Sequence, residues 1–251
     1  MPARGEWVVL LDKEGNKYLV RVEDRELQTN LGVLNLRELE GLEFGQKLRT
    51  HLGEEFHVLP PSLPDLFEKL KRGPQVVLPK DAAQVVAHTG VGPGDLVVDG
   101  GTGSGFLAIF LGNLVRPDGR VYTYEIREDF VKLAEENIER AGLAGVVTVK
   151  RKDIYSGIDE TDVDLVTLDV PEPQQVVPHA ERALRVGGYL AAFTPCVETL
   201  QLLRQALSAH RFAGVKTIEC LVREILVRPG ATRPSTEMLA HTSYLTFARR
   251  I

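Results

Sequence analysis

Four acidic residues and one glycine-rich turn have the types and spacing that could do chemistry in this chain. The turn follows three apolar residues and reads Asp99-Gly100-Gly101-Thr102-Gly103-Ser104-Gly105, so that glycine occupies every second position from 101. Because glycine has no Cβ atom and tolerates positive φ, such a turn lets a ligand approach the main chain closely. We expect a buried strand that runs into a tight turn and opens a helix.

The spacing of these glycines differs from that of a dinucleotide-binding turn. A nicotinamide-binding turn carries Gly-x-Gly-x-x-Gly, whereas this one reads Asp-x-Gly-x-Gly-x-Gly. The pattern resembles the first motif of Rossmann-like methyltransferases that use S-adenosylmethionine. The alternative is an ordinary strand-to-helix turn, in which glycine is also common. The resemblance implies that five residues of the turn bind the cofactor: Gly101, Thr102, Gly103, Ser104 and Gly105.

Two further acids follow the next two predicted strands. The strand Val121 to Glu125 ends in a carboxylate, which can accept hydrogen bonds from both ribose hydroxyls of a nucleoside across the cleft. Phe130, one helical turn later, is placed to pack near the adenine. Asp153 comes just past the third strand, where it can accept the exocyclic amine of that adenine. The alternatives are a helix-capping role for Glu125 and a solvated loop position for Asp153.

The fourth acid, Asp169, follows the apolar run from Val163 and precedes a loop with prolines at 171 and 173. We expect it at the carboxyl edge of the sheet, where open α/β folds bind ligands. Enzymes that methylate an exocyclic adenine amine carry Asn or Asp, two prolines and an aromatic residue here, and this chain departs from that pattern. A ring nitrogen attacks the methyl group with its own lone pair, so a nearby carboxylate would stabilise the cationic product. The alternative is an acid that only caps the next helix.

Hydrophobic and turn patterns divide the chain into three parts. Residues 1–61 read as a small β-rich domain that begins with a hairpin around Asp12 to Asn16, and residues 62–80 read as a linker helix and loop. Residues 81–251 alternate strands and helices. We expect an α/β fold with a Rossmann-like seven-stranded sheet, including one strand over 216–227 and a last, antiparallel strand over 242–248.

Composition excludes several classes of protein. Of the 251 residues 43% are hydrophobic and 26% charged, and the net charge of −5 offers no global attraction to nucleic acid. No apolar run approaches the roughly 20 residues of a membrane helix, and the N-terminal sequence lacks a signal peptide's apolar core, so we expect a cytoplasmic protein. The six histidines show no metal-binding spacing, which predicts no metal site.

Taken together, several segments look like those of the tRNA (adenine-N1)-methyltransferases, and the resemblance to the single-chain archaeal form extends over the whole chain. They are Gly73 to Ala83, Asp99 to Gly105, Tyr124-Glu125, Leu168 to Pro173 and His241 to Leu245. The resemblance implies methylation of N1 of adenine 58 in the T-loop of tRNA, with archaeal members also acting at 57. It further implies S-adenosylmethionine as cofactor, tRNA as substrate and a homotetramer.

The resemblance also implies roles for particular residues. Asp169 would be the catalytic residue and would contact both cofactor and target adenine, while Glu125 and Asp153 would bind the cofactor. Leu78 and Phe193 would contact the target base, at positions where relatives often have an aromatic residue or His, and Tyr, respectively. The buried adenine must be extruded, and basic residues should bind phosphates. Further expected substrate contacts are Lys80, Arg233 and His241, with Lys69, Lys71, Arg72, Arg223 and Arg228 as other basic candidates.

Two other functions are compatible with the same residues. The chain could be a tRNA-binding scaffold related to non-catalytic partner subunits, in which case it would not bind the cofactor. It could also methylate a small molecule or a protein side chain, because the fold alone does not define the acceptor.

Overall fold

The computed structural model describes residues 1–73 and 76–251, which form two compact units, Met1–Lys71 and Arg72–Ile251. Pro74 and Gln75, part of the Gly73 to Ala83 segment, lie outside the described residues. Each unit has its own buried apolar core.

The first unit is built around the expected hairpin of β1 and β2. The Asp12 carboxylate shapes its turn by accepting hydrogen bonds from the main-chain N–H groups of Glu14 and Asn16, both at 2.8 Å. A four-stranded antiparallel sheet has the order β2-β1-β6-β5, and β3 pairs with β4. The elements are β1 (Trp7–Leu11), β2 (Lys17–Arg21), β3 (Glu26–Thr29), β4 (Gly32–Asn35), β5 (Lys47–Arg49), β6 (Glu55–Leu59) and α1 (Leu63–Lys69).

Helix α1 belongs to this first unit and is not a separate linker. Its Leu66 and Phe67 are buried, and Asp65 forms an ion pair of 2.8 Å with Lys17 of β2. The chain therefore divides after Lys71 rather than at residues 61 and 80.

The second unit is a seven-stranded sheet of order β12-β15-β11-β10-β7-β8-β9, in which β15 runs antiparallel to both its neighbours. This is the expected Rossmann-like arrangement. Its strands are β7 (Leu96–Gly100), β8 (Arg120–Glu125), β9 (Val147–Arg151), β10 (Val163–Leu168), β11 (Leu184–Thr194), β12 (Phe212–Glu219) and β15 (Tyr244–Arg250), and two short strands, β13 (Ile225–Leu226) and β14 (Arg233–Pro234), lie outside it. Its helices are α2 (Pro79–Thr89), α3 (Phe106–Val115), α4 (Glu128–Arg140), α5 (Pro173–Ala183) and α6 (Val197–Ala209).

The four strands β7 to β10 are parallel, so their carboxyl ends meet at one edge of the sheet. Strand β7 is buried almost throughout, which explains its continuous apolar run. Gly100, Glu125 and Leu168 end three of these strands, and the predicted ligand-binding acids therefore lie at or just beyond this edge.

The prediction of one strand over 216–227 is wrong. Strand β12 ends at Glu219, where its partner β15 begins with Tyr244. Beyond that point the chain is still rich in apolar residues, but no strand of the seven-stranded sheet lies alongside it to form hydrogen bonds. The short β13 instead pairs with β14 in a separate two-stranded hairpin.

Within the described ranges, none of the helices has both the length and the apolar character needed to cross a membrane.

Candidate functional site

The glycine turn after β7 is packed tightly against the loop after β10. Gly101 has φ +94°, and a Cβ atom there would lie 2.2 Å from the main-chain oxygen of Asp169. The N–H of Asp169 donates to the Gly100 carbonyl at 2.8 Å. Glycine is required at 101 because no side chain fits between the two loops.

Asp99, the acid of the turn motif, is structural. It is buried, and its carboxylate accepts hydrogen bonds of 2.7 Å from the hydroxyls of Thr123 and Thr167 on the flanking strands. Burial raises the pKa of Asp99, against the effect of these two hydrogen bonds. The residue therefore joins β7 to β8 and β10 instead of facing a ligand.

Glu125 is held in place by main-chain donors. Its Oε2 accepts from the N–H of Gly103 at 3.0 Å, and its Oε1 accepts from the N–H groups of Ile126 and Arg127 at 3.0 Å. The carboxylate thus bridges the glycine turn and the entry to α4. The residue lines a cavity and also satisfies donors at the start of the helix, so its ligand and capping interpretations both have a structural basis.

A cavity of about 370 Å³ lies over the turn, and all the expected cofactor residues except Gly105 line it. Gly105 lies beneath, as the N-cap of α3. The guanidinium of Arg127 covers the ring of Phe130 at 3.3 Å. Asp153 is exposed, and its carboxylate accepts from the Tyr155 N–H at 2.9 Å.

The donors and acceptors of this cavity suit a nucleoside with a charged, polar tail. The Ser104 hydroxyl lines it, is buried and has no hydrogen-bond partner among the described residues, which leaves a polar group for a ligand. Glu125 supplies carboxylate oxygens for hydroxyl groups, and Phe130 and Ile126 supply apolar surface.

A second cavity of about 300 Å³ adjoins the first, because Val76, Val77 and the Asp169–Pro171 loop line both. The expected substrate residues Leu78 and Phe193 line this second cavity. We call the two spaces the donor cavity and the acceptor cavity.

Asp169 is therefore at the boundary of the two cavities. Its carboxylate accepts no hydrogen bond from the described residues and faces the cleft. Asp169 is exposed at the open cleft, yet the protein atoms around it partly desolvate its carboxyl group, and this effect, with a smaller contribution from the charge of Asp99, raises the pKa of Asp169 to about 6. A carboxylate of this kind can accept a hydrogen bond from a ligand and stabilise positive charge that develops beside it.

Three other expected substrate residues lie outside the cavity walls. The Lys80 ammonium donates to Asp81 Oδ1, the Cys220 carbonyl and Thr242 Oγ1 at 2.7–2.8 Å, which corrects the expectation of a phosphate contact. His241 contacts Glu219 Oε1 at 2.6 Å and the Pro195 carbonyl at 2.9 Å. Arg233 is exposed on the β13–β14 hairpin.

Both partners of His241 are acceptors, an arrangement that favours the cationic imidazole, in which both ring nitrogens can donate. The pKa of His241 is raised, chiefly by its hydrogen bond to Glu219. The residue joins the ends of β11 and β12 and does not line either cavity.

Several cavity residues were not predicted from the sequence. Asp81, Thr242 and Ser243 line the acceptor cavity, and Val76 and Val77 line both. Asp81 and Thr242 fall in segments that carried the family resemblance, but neither has a local spacing that indicates a site.

Comparisons with known proteins agree with this geometry. A family model described as the tRNA methyltransferase complex GCD14 subunit matches residues 56–232. A relative from Methanocaldococcus jannaschii, named tRNA (adenine(57)-N(1)/adenine(58)-N(1))-methyltransferase TrmI, is 33% identical and the match covers 96% of this chain and 94% of that protein. A Thermus thermophilus tRNA (adenine(58)-N(1))-methyltransferase TrmI is 32% identical, with 97% of this chain and 96% of that protein covered.

Solved structures give the same fold. A Thermotoga maritima protein described as a SAM-dependent O-methyltransferase superposes with a TM-score of 0.90 at 36% identity, covering 99% of this chain and 94% of that one. The Aquifex aeolicus tRNA (m1A58) methyltransferase TrmI superposes with a TM-score of 0.80 at 26% identity, covering 99% of this chain and 98% of that one. The chain therefore belongs to the family of the tRNA methyltransferase complex GCD14 subunit.

Proposed function

We propose that this protein transfers a methyl group from S-adenosylmethionine to N1 of adenine in the T-loop of tRNA, at position 58. The observation that carries the proposal is the meeting of the donor and acceptor cavities at one carboxylate, Asp169. Relatives with this activity in their names match the chain over nearly its whole length.

The donor cavity has groups for each part of the cofactor. Glu125 accepts hydrogen bonds from the ribose hydroxyls, Phe130 packs near the adenine, and Asp153 accepts its amine at the rim. Ser104 and the open main chain of Gly101 and Gly103 bind the amino-acid end. When bound, S-adenosylmethionine supplies a methyl group on a positively charged sulfur.

The acceptor cavity orients the target base. Leu78 and Phe193 provide apolar surface for an extruded base. Asp169 accepts the exocyclic N–H of the adenine, which aligns the N1 lone pair with the methyl group and stabilises the positive charge that N1 acquires. No proton has to leave N1, so this role needs a hydrogen-bond acceptor and an anion rather than a strong base.

The tRNA backbone requires basic residues outside these cavities. Arg223, Arg228 and Arg233 are exposed on the segment between β12 and β15, where they are available for phosphates. We propose these three arginines as the first phosphate contacts to test.

The same segment supports self-association into the homotetramer that the resemblance implies. Six large apolar side chains are exposed there: Leu221, Val222, Ile225, Val227, Met238 and Leu239. An apolar patch among polar residues is typical of an interface. Native mass spectrometry should find a tetramer, and a monomer at micromolar concentration would contradict this part of the proposal.

The decisive experiment incubates unmodified tRNA with the enzyme and methyl-labelled S-adenosylmethionine, followed by nucleoside mass analysis. We expect labelled 1-methyladenosine, lost when adenine 58 of the tRNA is replaced by uridine. A parallel tRNA with adenine 57 replaced tests the second position.

Three outcomes would overturn the proposal. Label found only on protein or small molecules would favour a different acceptor, and 2′-O-methyladenosine would favour the oxygen chemistry in the name of the Thermotoga neighbour. Calorimetry that detects no cofactor binding would favour the scaffold.

A further inference from the structure

The acceptor cavity is bordered by a closed network of three polar side chains, those of Lys80, Asp81 and Thr242. We propose that this network is the positioning device for the acceptor base, acting through the cavity walls. The inference rests on the proposed function for the identity of the base, but its physical basis is independent of it.

The network satisfies every donor it contains. The Lys80 ammonium has three protons and three acceptors: Asp81 Oδ1 at 2.8 Å, and the Cys220 carbonyl and Thr242 Oγ1 at 2.7 Å. The Thr242 hydroxyl in turn donates to Asp81 Oδ2 at 2.8 Å. The three side chains therefore form a ring in which each one bonds to the other two.

Because this ring is buried, each of its polar groups needs its hydrogen-bond partners. The Lys80 and Asp81 side chains are 12% and 3% exposed. A buried charge that loses one partner is left unsatisfied, so the three groups hold one another in a single arrangement. An ordinary surface ion pair would be exposed to solvent, whereas this one is almost completely buried.

The ring joins chain segments that are far apart in sequence. Lys80 and Asp81 are in the first turn of α2, Cys220 follows β12, and Thr242 precedes β15. Leu78, which lines the cavity, is the N-cap of α2, and its carbonyl accepts from the N–H groups of Asp81 and Ala82 at 2.9 Å. Fixing the first turn of α2 therefore fixes the Leu78 wall.

A second set of hydrogen bonds fixes the Phe193 side of the cavity. His241, next to Thr242, links Glu219 at the end of β12 to the carbonyl of Pro195, and Pro195 lines the cavity beyond Phe193. Asp81, Thr242 and Ser243 line the cavity themselves. The ring thus sets where the Leu78 wall stands relative to Asp169 and to the Phe193 wall.

None of the three residues of the ring lines the donor cavity. Loosening the ring should therefore misplace the base without weakening cofactor binding. Misplacement of a reacting group by about 1 Å can lower a rate by roughly a hundredfold, so the effect should fall on kcat.

The test compares Thr242→Val with Thr242→Ser. Valine keeps the shape but removes the hydroxyl that both accepts from Lys80 and donates to Asp81, whereas serine keeps it. We expect kcat on unmodified tRNA to fall about tenfold or more in the valine variant and to stay within about threefold in the serine variant. Both should bind S-adenosylmethionine with the wild-type Kd by calorimetry.

Hydrogen exchange gives a readout that does not depend on the reaction. Amides of residues 79–82 should exchange faster in Thr242→Val than in Thr242→Ser. Equal kcat values, equal exchange, or a loss of kcat matched by a loss of cofactor binding would each overturn the inference. If the valine variant does not fold, Asp81→Asn replaces it, with the same readouts. Failure of the proposed function is distinct, because the wild-type protein itself would then form no 1-methyladenosine.

Discussion

The donor and acceptor cavities meet at Asp169 but are built by different means. The donor cavity is lined by five segments, but the glycine turn and the end of β8 that form part of its wall are held together through main-chain N–H and carbonyl groups. The acceptor cavity combines four segments, around residues 78, 169, 193 and 242, and its borders are fixed by side-chain charges. The glycine turn of the donor cavity is therefore fixed by backbone geometry, whereas the borders of the acceptor cavity are fixed by side-chain contacts between distant segments.

This difference has consequences for substitution. A backbone-built site fails abruptly when a Cβ atom is added, because the chain has no room to move. A site fixed by side-chain hydrogen bonds loses function in steps, according to how many bonds remain. Single substitutions in the two cavities can therefore distinguish the two kinds of site.

Gly101→Ala should abolish cofactor binding and methylation together, since the new Cβ atom would lie 2.2 Å from the Asp169 carbonyl oxygen. We expect the Kd for S-adenosylmethionine, measured by calorimetry, to rise more than about a hundredfold. Gly142→Ala is the matched control, because Gly142 also has positive φ but open space around its Cβ position. Equal affinities in the two variants would show that the close approach at Gly101 does not control cofactor binding.

Asp169→Asn should lower kcat by about a hundredfold to a thousandfold, because the amide removes the negative charge beside the developing cation. The Kd for the cofactor should change only slightly, since Glu125 and the glycine turn are intact. Single-turnover rates at saturating cofactor measure the effect. Asp162→Asn, an exposed loop position with positive φ that asparagine tolerates, should retain full activity.

Glu125→Gln should act on the donor cavity alone. Loss of a charge-assisted hydrogen bond costs about 1.5–3 kcal/mol, so the Kd for the cofactor should rise about tenfold to a hundredfold. At saturating cofactor, kcat should stay within a few-fold of wild type. Glu128→Gln on the exposed start of α4 is the control. A fall in kcat without a change in Kd would contradict the division between the cavities.

The pH dependence should report on Asp169, whose pKa is raised to about 6. If the carboxylate is the active form, log kcat should rise with a slope of about 1 below pH 6 and level off above it. Because the folded pKa exceeds the unfolded value, ionisation opposes folding as pH rises from about 4 to 6. Asp169→Asn should therefore raise the Tm at neutral pH, and the gain should disappear below about pH 4. An unchanged Tm difference across that range would contradict the assignment.

Arg233→Ala should have the smallest effect, because Arg233 lies outside both cavities. We expect a few-fold loss of tRNA affinity and a decrease of about 1 in the salt-dependence slope, with unchanged cofactor binding. Arg116→Ala, in the exposed connection that leads from α3 to the amino end of β8, is the control. Filter binding at several salt concentrations measures both.

The sequence was most informative where the chemistry is local. Alternation of strand and helix patterns predicted the sheet, and the acids that end parallel strands had to share an edge with the glycine turn. Leu78 and Phe193 were expected near the base through family resemblance, and both line the acceptor cavity.

Tertiary contacts account for what the sequence did not show. Asp81 and Thr242 bond across 161 residues, and no local pattern encodes such a pairing. Lys80 was expected to contact a tRNA phosphate, but three internal acceptors sequester its ammonium group. The strand predicted to end at 227 stops at Glu219 because its hydrogen-bonding partner, β15, begins opposite that residue at Tyr244. The end of β12 therefore depends on a segment that is distant in sequence.

The close approach at Gly101 also bears on how this family can diverge. Glycine is required at 101 by the Asp169 carbonyl, which is a group of the protein itself. A related protein that no longer binds the methyl donor would therefore still need this glycine. The Ser104 hydroxyl has no hydrogen-bond partner among the described residues, so the protein itself makes no such demand at that position. Among relatives, position 104, rather than the glycine at 101, should therefore distinguish active enzymes from non-catalytic partners.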